Sequence, residues 1–222
     1  MRRIATAAVV LMIMVASSLT TIAQKPFKGK VVYEIKYEGR ELTPNEKMQM
    51  PTQMTMLFGD DKVKQETETP MGNVVVIEDL ANKKTTMLLD LMGNKVALVQ
   101  PDTVKMKENK NLKIEEKDET KTIAGYKAKK MVISKGDTTI ELYYAVDLYL
   151  ADGNKLYGFD KRLKNIPLEY TLPTQDEDLT LKYKAKEVTP MKKVKKKEFK
   201  IPPDYQQVTM EEFKKMFGGG GQ

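Results

Sequence analysis

MTMLFGDDKVKQETETPMGNVVVIEDLANKKTTMLLDLMGNKVALVQ, Met54 to Gln100, decides the fold. Met54, Met56 and Phe58 alternate with other residues and end at the turn Gly59-Asp60-Asp61. Val63–Thr69 is a polar strand closed by Pro70-Met71-Gly72-Asn73, and Val74–Leu80 is apolar on both faces, as a central or doubly covered strand must be. Ala81-Asn82-Lys83 turns into Thr85–Leu91, and Met92-Gly93-Asn94 turns into Lys95–Gln100. Turns near residues 60, 71, 82 and 93 mark an antiparallel meander.

The same period of two runs outward in both directions. Val31, Tyr33, Ile35 and Tyr37 share one face of a strand over Lys30–Tyr37, with Val32, Glu34 and Lys36 on the other. Leu112–Ile123 is a long charged strand of the kind found at a sheet edge, where charge discourages stray pairing. Tyr126–Ser134, Thr138–Val146, Pro167–Leu172 and Leu179–Val188 complete the set, while Pro101–Asn111 reads as a short helix or loop and Asp147–Ile166 as the least regular stretch. Two helices have legible starts. Thr43, Pro44 and Glu46 supply a cap, a first-turn proline and a capping box, with Pro51 as the stop. Thr209 and Glu212 make a second box, Val208 is placed to staple onto Phe213, and Met210, Phe213, Met216 and Phe217 form a stripe expected to dock on the sheet. The fold class is therefore mainly β: an antiparallel sheet of about ten strands with two short helices.

The N-terminus gives the compartment. Arg2-Arg3 precede the apolar run Ile4–Val15, and small residues lead to Ala23. The run is too short to span a bilayer, which takes about 20 apolar residues. Residues 1–23 are thus expected to be a signal peptide cleaved after Ala23, with 24–217 as one β domain and 218–222 as a flexible Gly-rich tail. The product is expected in the periplasm or outside the cell. Without Arg2 and Arg3 the 38 basic residues fall to 36, against 31 acidic ones, a mild excess suited to anionic head groups rather than nucleic acid.

Composition narrows the chemistry. With no His and no Cys, the chain has no Ser-His-Asp triad, no thiol nucleophile and no usual zinc site. No cofactor is expected, and no enzyme. Glu78-Asp79, Asp90 and Glu169 are carboxylates on strands or beside turns, where solvated positions are the ordinary outcome. The 15 methionines admit three readings: a thioether site for Cu(I), a deformable lining for an apolar ligand, or core filling. The run Lys192-Lys193-Val194-Lys195-Lys196-Lys197 reads as contact with an anionic membrane surface or as a solvated, alternating edge segment.

Three segments carry a family resemblance: Thr120-Lys-Thr-Ile-Ala-Gly-Tyr-Lys-Ala-Lys-Lys130, Ile166-Pro-Leu-Glu-Tyr170, and Phe199-Lys-Ile-Pro-Pro-Asp-Tyr205 followed by Thr209-Met-Glu-Glu212. Together they resemble a family of secreted Gram-negative envelope proteins known only as a domain of unknown function, over about Phe27 to Phe217. Many of its members carry a Cys in the Gly-Tyr-Lys-x-Lys segment, where this chain has Ala128. That family is similar in turn to the outer-membrane lipoprotein carriers, the LolA-like proteins. The resemblance implies a single curved antiparallel sheet, an open half-barrel, with two or three short helices covering its concave face and an apolar cavity beneath them that shelters a lipid or other apolar small molecule. On that expectation Met54, Met56, Met87 and Leu89 line the sheet side and Met48 and Met50 come from the first helix. The alternative is an envelope protein–protein interaction or structural module with a filled core.

Overall fold

A computed structural model describes residues 25–91, 93–101, 112–136, 138–151 and 163–217. The expected signal peptide, the Gly-rich tail, the segment read as a helix or loop after Pro101, and most of the irregular stretch before Leu163 lie outside the described residues.

Twelve strands form one open sheet. They are β1 (Gly29–Gly39), β2 (Gln53–Phe58), β3 (Lys62–Thr69), β4 (Gly72–Asp79), β5 (Lys84–Leu91), β6 (Asn94–Pro101), β7 (Lys113–Ile123), β8 (Tyr126–Lys135), β9 (Thr138–Tyr149), β10 (Asn165–Pro173), β11 (Leu179–Pro190) and β12 (Gln206–Val208). Their spatial order is β12-β6-β5-β4-β3-β2-β1-β11-β10-β9-β8-β7. All pairs are antiparallel except β12 with β6. The sequence showed about ten strands. The structure exceeds that count, and the strand with no counterpart in the sequence reading, β12, has only three residues, too few to display a period, with Gln206 paired in parallel to Val96, 110 residues earlier.

The charged strand β7 is an edge, as its composition required. It also contacts β11, four places away in the order, so the half containing β7–β11 is strongly curled. Inside this curl lies the main core: Val31, Tyr33, Ile35, Met54, Met56 and Phe58 join Met131, Ile133, Leu142, Tyr144, Ile166, Leu168 and Tyr170 in one buried cluster. Tyr33 packs edge-on against Tyr170, and its hydroxyl donates to the Pro167 carbonyl at 2.8 Å. Pro167 interrupts a central strand, and the β10–β9 register shifts on both sides of it, as expected where a ladder donor is missing.

The two helices are α1 (Pro44–Gln49) and α2 (Met210–Phe217). Both capping boxes form: Thr43 accepts from the Glu46 amide while Glu46 accepts from the Thr43 amide, and Thr209 and Glu212 do the same. The helices do not cover the concave face in the way the resemblance implied. No residue of α1 is buried. Its tether is ionic: Arg40 bridges Glu46 at 2.5 Å and Asp176 at 2.7 Å, fastening α1 to the β10–β11 turn. The lysine-rich segment is also not a strand, since Lys196–Phe199 is a single 3-10 turn. Among the described residues no helix is long and apolar enough to cross a membrane.

Candidate functional site: an apolar trough across the sheet

Cα partners in neighbouring strands share a face, so the register assembles rows of side chains across the sheet. One row runs Val31, Met56, Gln65, Val76, Met87, Leu98 and Val208 from β1 through β6 to β12. The next runs Tyr33, Met54, Thr67, Val74, Leu89 and Val96. The resemblance grouped Met54, Met56, Met87 and Leu89 on the sheet side, and the register puts them in these two adjacent rows of a common face. From β2 to β6 the rows span roughly 19 Å, four strand spacings of about 4.8 Å.

Burial changes along the rows. Met54 and Met56 are buried in the main core. Val96, Leu98 and Val208 form a second, small core on which Met87 and Phe213 pack, so α2 covers the β6 end. Between these ends Gln65, Thr67, Val74 and Val76 are only half-buried. The result is a trough-like band: half-buried at Gln65, Thr67, Val74, Val76 and Met87, buried at Leu89, and flanked by the main core at one end and by α2 at the other. The first helix does not contribute. Met48 is 62 % exposed on α1, and Met50 is the residue that ends that helix. Of the α2 stripe, Phe213 packs inward while Met210 and Met216 remain 41 % and 48 % exposed, and the Phe217 side chain lies outside the described residues.

The opposite face explains why Val74–Ile77 is apolar without alternation. Val75, Ile77, Leu88 and Ala97 make a third cluster, covered by Phe199, Ile201 and Tyr205. Gly59 allows this covering: a Cβ there would lie 2.9 Å from the Phe199 ring. The segment from Phe199 to Phe213 therefore passes from one face of the β4–β6 half to the other, pairing with the β6 edge on the way.

Charged groups form a separate pattern. Glu169 is 9 % exposed, which sequence reasoning did not anticipate. Its Oε1 receives Lys121 at 2.8 Å, Lys184 lies 3.6 Å from Oε2, and Lys121 also sits over the Tyr143 ring. The Tyr143 hydroxyl donates to Glu119, which pushes the phenol's pKa up. Asp79 is answered by Lys62 and Asn82: burial pushes its carboxyl up, and these donors outweigh that and hold it at about 2. Asp90 faces Lys95 at 3.7 Å. Three of the four carboxylates singled out in the sequence, Asp79, Asp90 and Glu169, are thus partnered by lysine. No cluster of three or more His, Cys, Asp or Glu able to hold a metal occurs among the described residues. An open depression of about 450 Å³ lies at Glu38, Gly39, Arg40, Glu177, Asp178 and Thr180. Its one guanidinium is already committed to Glu46 and Asp176, and its lining is polar, so it suits no apolar ligand.

No protein-family model matches the chain, and no curated protein matches it in sequence. Solved structures do share its fold. Two crystal forms of PNGF-II superpose with a TM-score of 0.53 at 19 % and 18 % identity, covering 87 % of this chain and 34 % and 33 % of theirs. The chain therefore spans about a third of the length of PNGF-II. Weaker overlaps are found with the Pseudomonas aeruginosa MucA/MucB complex (TM-score 0.36, 11 % identity, 82 % and 59 % coverage). An outer membrane lipoprotein-sorting protein domain from Vibrio parahaemolyticus gives a TM-score of 0.22 at 6 % identity, with 77 % and 89 % coverage. The PNGF-II likeness carries the fold alone: one large, open, mostly antiparallel sheet.

Proposed function

We propose that this chain is a non-enzymatic binding module of the bacterial envelope whose trough holds the apolar part of a ligand, an acyl chain being the simplest fit. The carrying observation is the half-buried pair Val74 and Val76 between the main core and α2, with Met87 and Leu89 in the same rows. Covering such a floor with a methylene chain gains about 0.8 kcal/mol per CH₂ removed from water. Methionine at the α2 end lets the wall adapt to different chains. The lining is therefore Val74, Val76, Met87 and Leu89, with Met54 and Met56 as its core-side end. A non-catalytic role agrees with the absence of His and Cys from the sequence and with the lysine partners of Asp79, Asp90 and Glu169. The signal-like N-terminus supports the envelope as the site of action.

A second reading has its own observation. Met210 and Met216 are exposed on α2 beside the trough, as they would be on the rim of a protein-docking surface. Native mass spectrometry separates the two. The full chain, exported from a Gram-negative host and purified without detergent, is expected to carry a stoichiometric lipid mass that organic extraction removes. Val76→Glu, which places a charge on the half-buried floor, is expected to lower that occupancy at least tenfold without altering the circular dichroism spectrum. A clean ligand-free mass that persists after adding envelope lipids overturns the lipid reading and leaves the protein-docking one.

A further inference from the structure

Lys192, Lys193, Lys195, Lys196, Lys197 and Lys200 are all exposed, and none forms an ion pair among the described residues. Many lysines elsewhere behave differently. Lys28 beside β1 and the strand residues Lys30, Lys62, Lys64, Lys121, Lys129 and Lys130 each meet a carboxylate, two of them across the sheet at 2.8 Å, while strand lysines unpaired among the described residues, such as Lys84 and Lys127, stand singly. The unpaired cations also do not sit on a loose loop. Val194 is buried, and Phe199, Ile201 and Tyr205 pack on the cluster formed by Val75, Ile77, Leu88 and Ala97. Apolar residues thus fasten the segment to the sheet, and the six ammonium groups are left on its outer side with Glu198 as the single carboxylate among them.

We propose that residues 191–200, which run from the start of β1 past β3 to the Phe199 anchor on the β4–β6 cluster, are a docking surface for an anionic phospholipid bilayer. Several features favour a lipid surface over a nucleic acid. The cations are all lysine, compact point charges suited to a diffuse field of head groups, with no arginine fork for bidentate phosphate recognition. The nearby rings of Phe199 and Tyr205 are turned onto the sheet and cannot stack on bases. Met191, at the start of the segment, is exposed and available to the head-group region. The attraction of basic residues to such a surface accumulates, so the six act together where one would not hold. This inference does not depend on the trough being occupied.

Vesicle co-sedimentation tests it with the full exported protein. Vesicles with one-third phosphatidylglycerol are expected to bind the protein and phosphatidylcholine vesicles are not. Raising salt from about 0.1 M toward 1 M, which shortens the screening length from about 10 Å to 3 Å, is expected to abolish binding. The variant K192Q/K193Q/K195Q/K197Q leaves Val194 and Phe199 in place and is expected to lose on the order of a thousandfold in affinity. The control K84Q/K127Q/K164Q/K214Q removes the same charge from other exposed, unpaired lysines and is expected to retain most of the binding. Equal loss in both variants, binding insensitive to salt, or tighter binding to duplex DNA than to the vesicles would each overturn the proposal. Retained melting temperature in both variants separates loss of binding from loss of fold.

Discussion

Methionines that look alike in sequence occupy opposite physical situations. Met54 sits 3 % exposed in the main core, while Met48 projects from α1 into solvent. Met54→Ala removes buried apolar atoms and leaves a cavity, so a loss of about 2–5 kcal/mol is expected in urea unfolding. Met48→Ala is expected to stay within about 0.5 kcal/mol, as surface substitutions do. Equal effects at the two positions would contradict the assignment of Met54 to the core. Tyr33 poses a sharper case. Its ring is fully buried, burial pushes its phenol far above the ordinary range, and its hydroxyl serves the carbonyl of Pro167. Tyr33→Phe keeps the ring and deletes only the donor. A loss of about 1 kcal/mol or more is expected, with an unchanged m-value, because a buried acceptor loses a partner that water cannot replace. Gly39 marks a different constraint at the end of β1. With φ at +114°, a Cβ there would lie 2.1 Å from the Asp178 carbonyl oxygen, so only glycine lets β1 run this close to β11.

Elements were legible where local signals decide them. Alternation and turn spacing revealed all the strands from β1 to β11, and the capping boxes located both helices to within a residue. Contacts between distant residues were not legible. Nothing local in Gln206–Val208 announces a parallel strand, and the alternation of Lys192–Lys197 looked like a strand because its fastening, Phe199 on Ile77 and its neighbours, is tertiary. The trough was half legible. Periodicity put Met54 and Met56 on one face and the resemblance added Met87 and Leu89, but only the structure shows that the first two are buried in the core, that Leu89 is buried as well, and that Val74 and Val76 are half-buried. Helix α1 was found, yet its role as a lid fails because its apolar content is too small to bury. It is held instead by Arg40. The Arg40 guanidinium, with the Thr43 cap, keeps the Glu46 carboxyl at about 2, below the usual carboxylate range. Since the folded value is depressed, the tether is complete above the ordinary unfolded value near 4.3 and is lost as pH falls through about 2. Protection of the α1 amides, taken relative to their intrinsic exchange rates, is therefore expected to fall between pH 4 and pH 2 while the main core remains protected. In Arg40→Gln the Glu46 titration midpoint, followed by carboxyl NMR shifts, is expected to rise toward the ordinary value. A midpoint unmoved by that substitution would show that the cap alone sets it.

At the scale of the whole molecule the sheet is one hydrogen-bonded unit but two packing regimes. The half containing β1, β2 and β7–β11 shares a large cluster closed by its own curl. The half containing β4–β6 has two small clusters, one on each face, and neither is closed by the sheet itself. Each is completed by the C-terminal segment: Phe199, Ile201 and Tyr205 on one side, Val208 and Phe213 on the other. This clamp packs on both faces of the β4–β6 half, and the exposed lysines precede it in the chain, so the same stretch of chain bears on both proposed surfaces. Stability should accordingly be uneven, since local opening follows the density of buried apolar contacts. Native-state hydrogen exchange is expected to show higher opening free energies for β1, β10 and β11 than for β4–β6. Phe199→Ala removes an aromatic ring from the smaller cluster and is expected to lower protection in β4, β5 and β6 while leaving β8–β10 unchanged. A uniform fall across all twelve strands would mean that the sheet opens only as a whole, and that the C-terminal clamp stabilises the molecule globally rather than the trough locally.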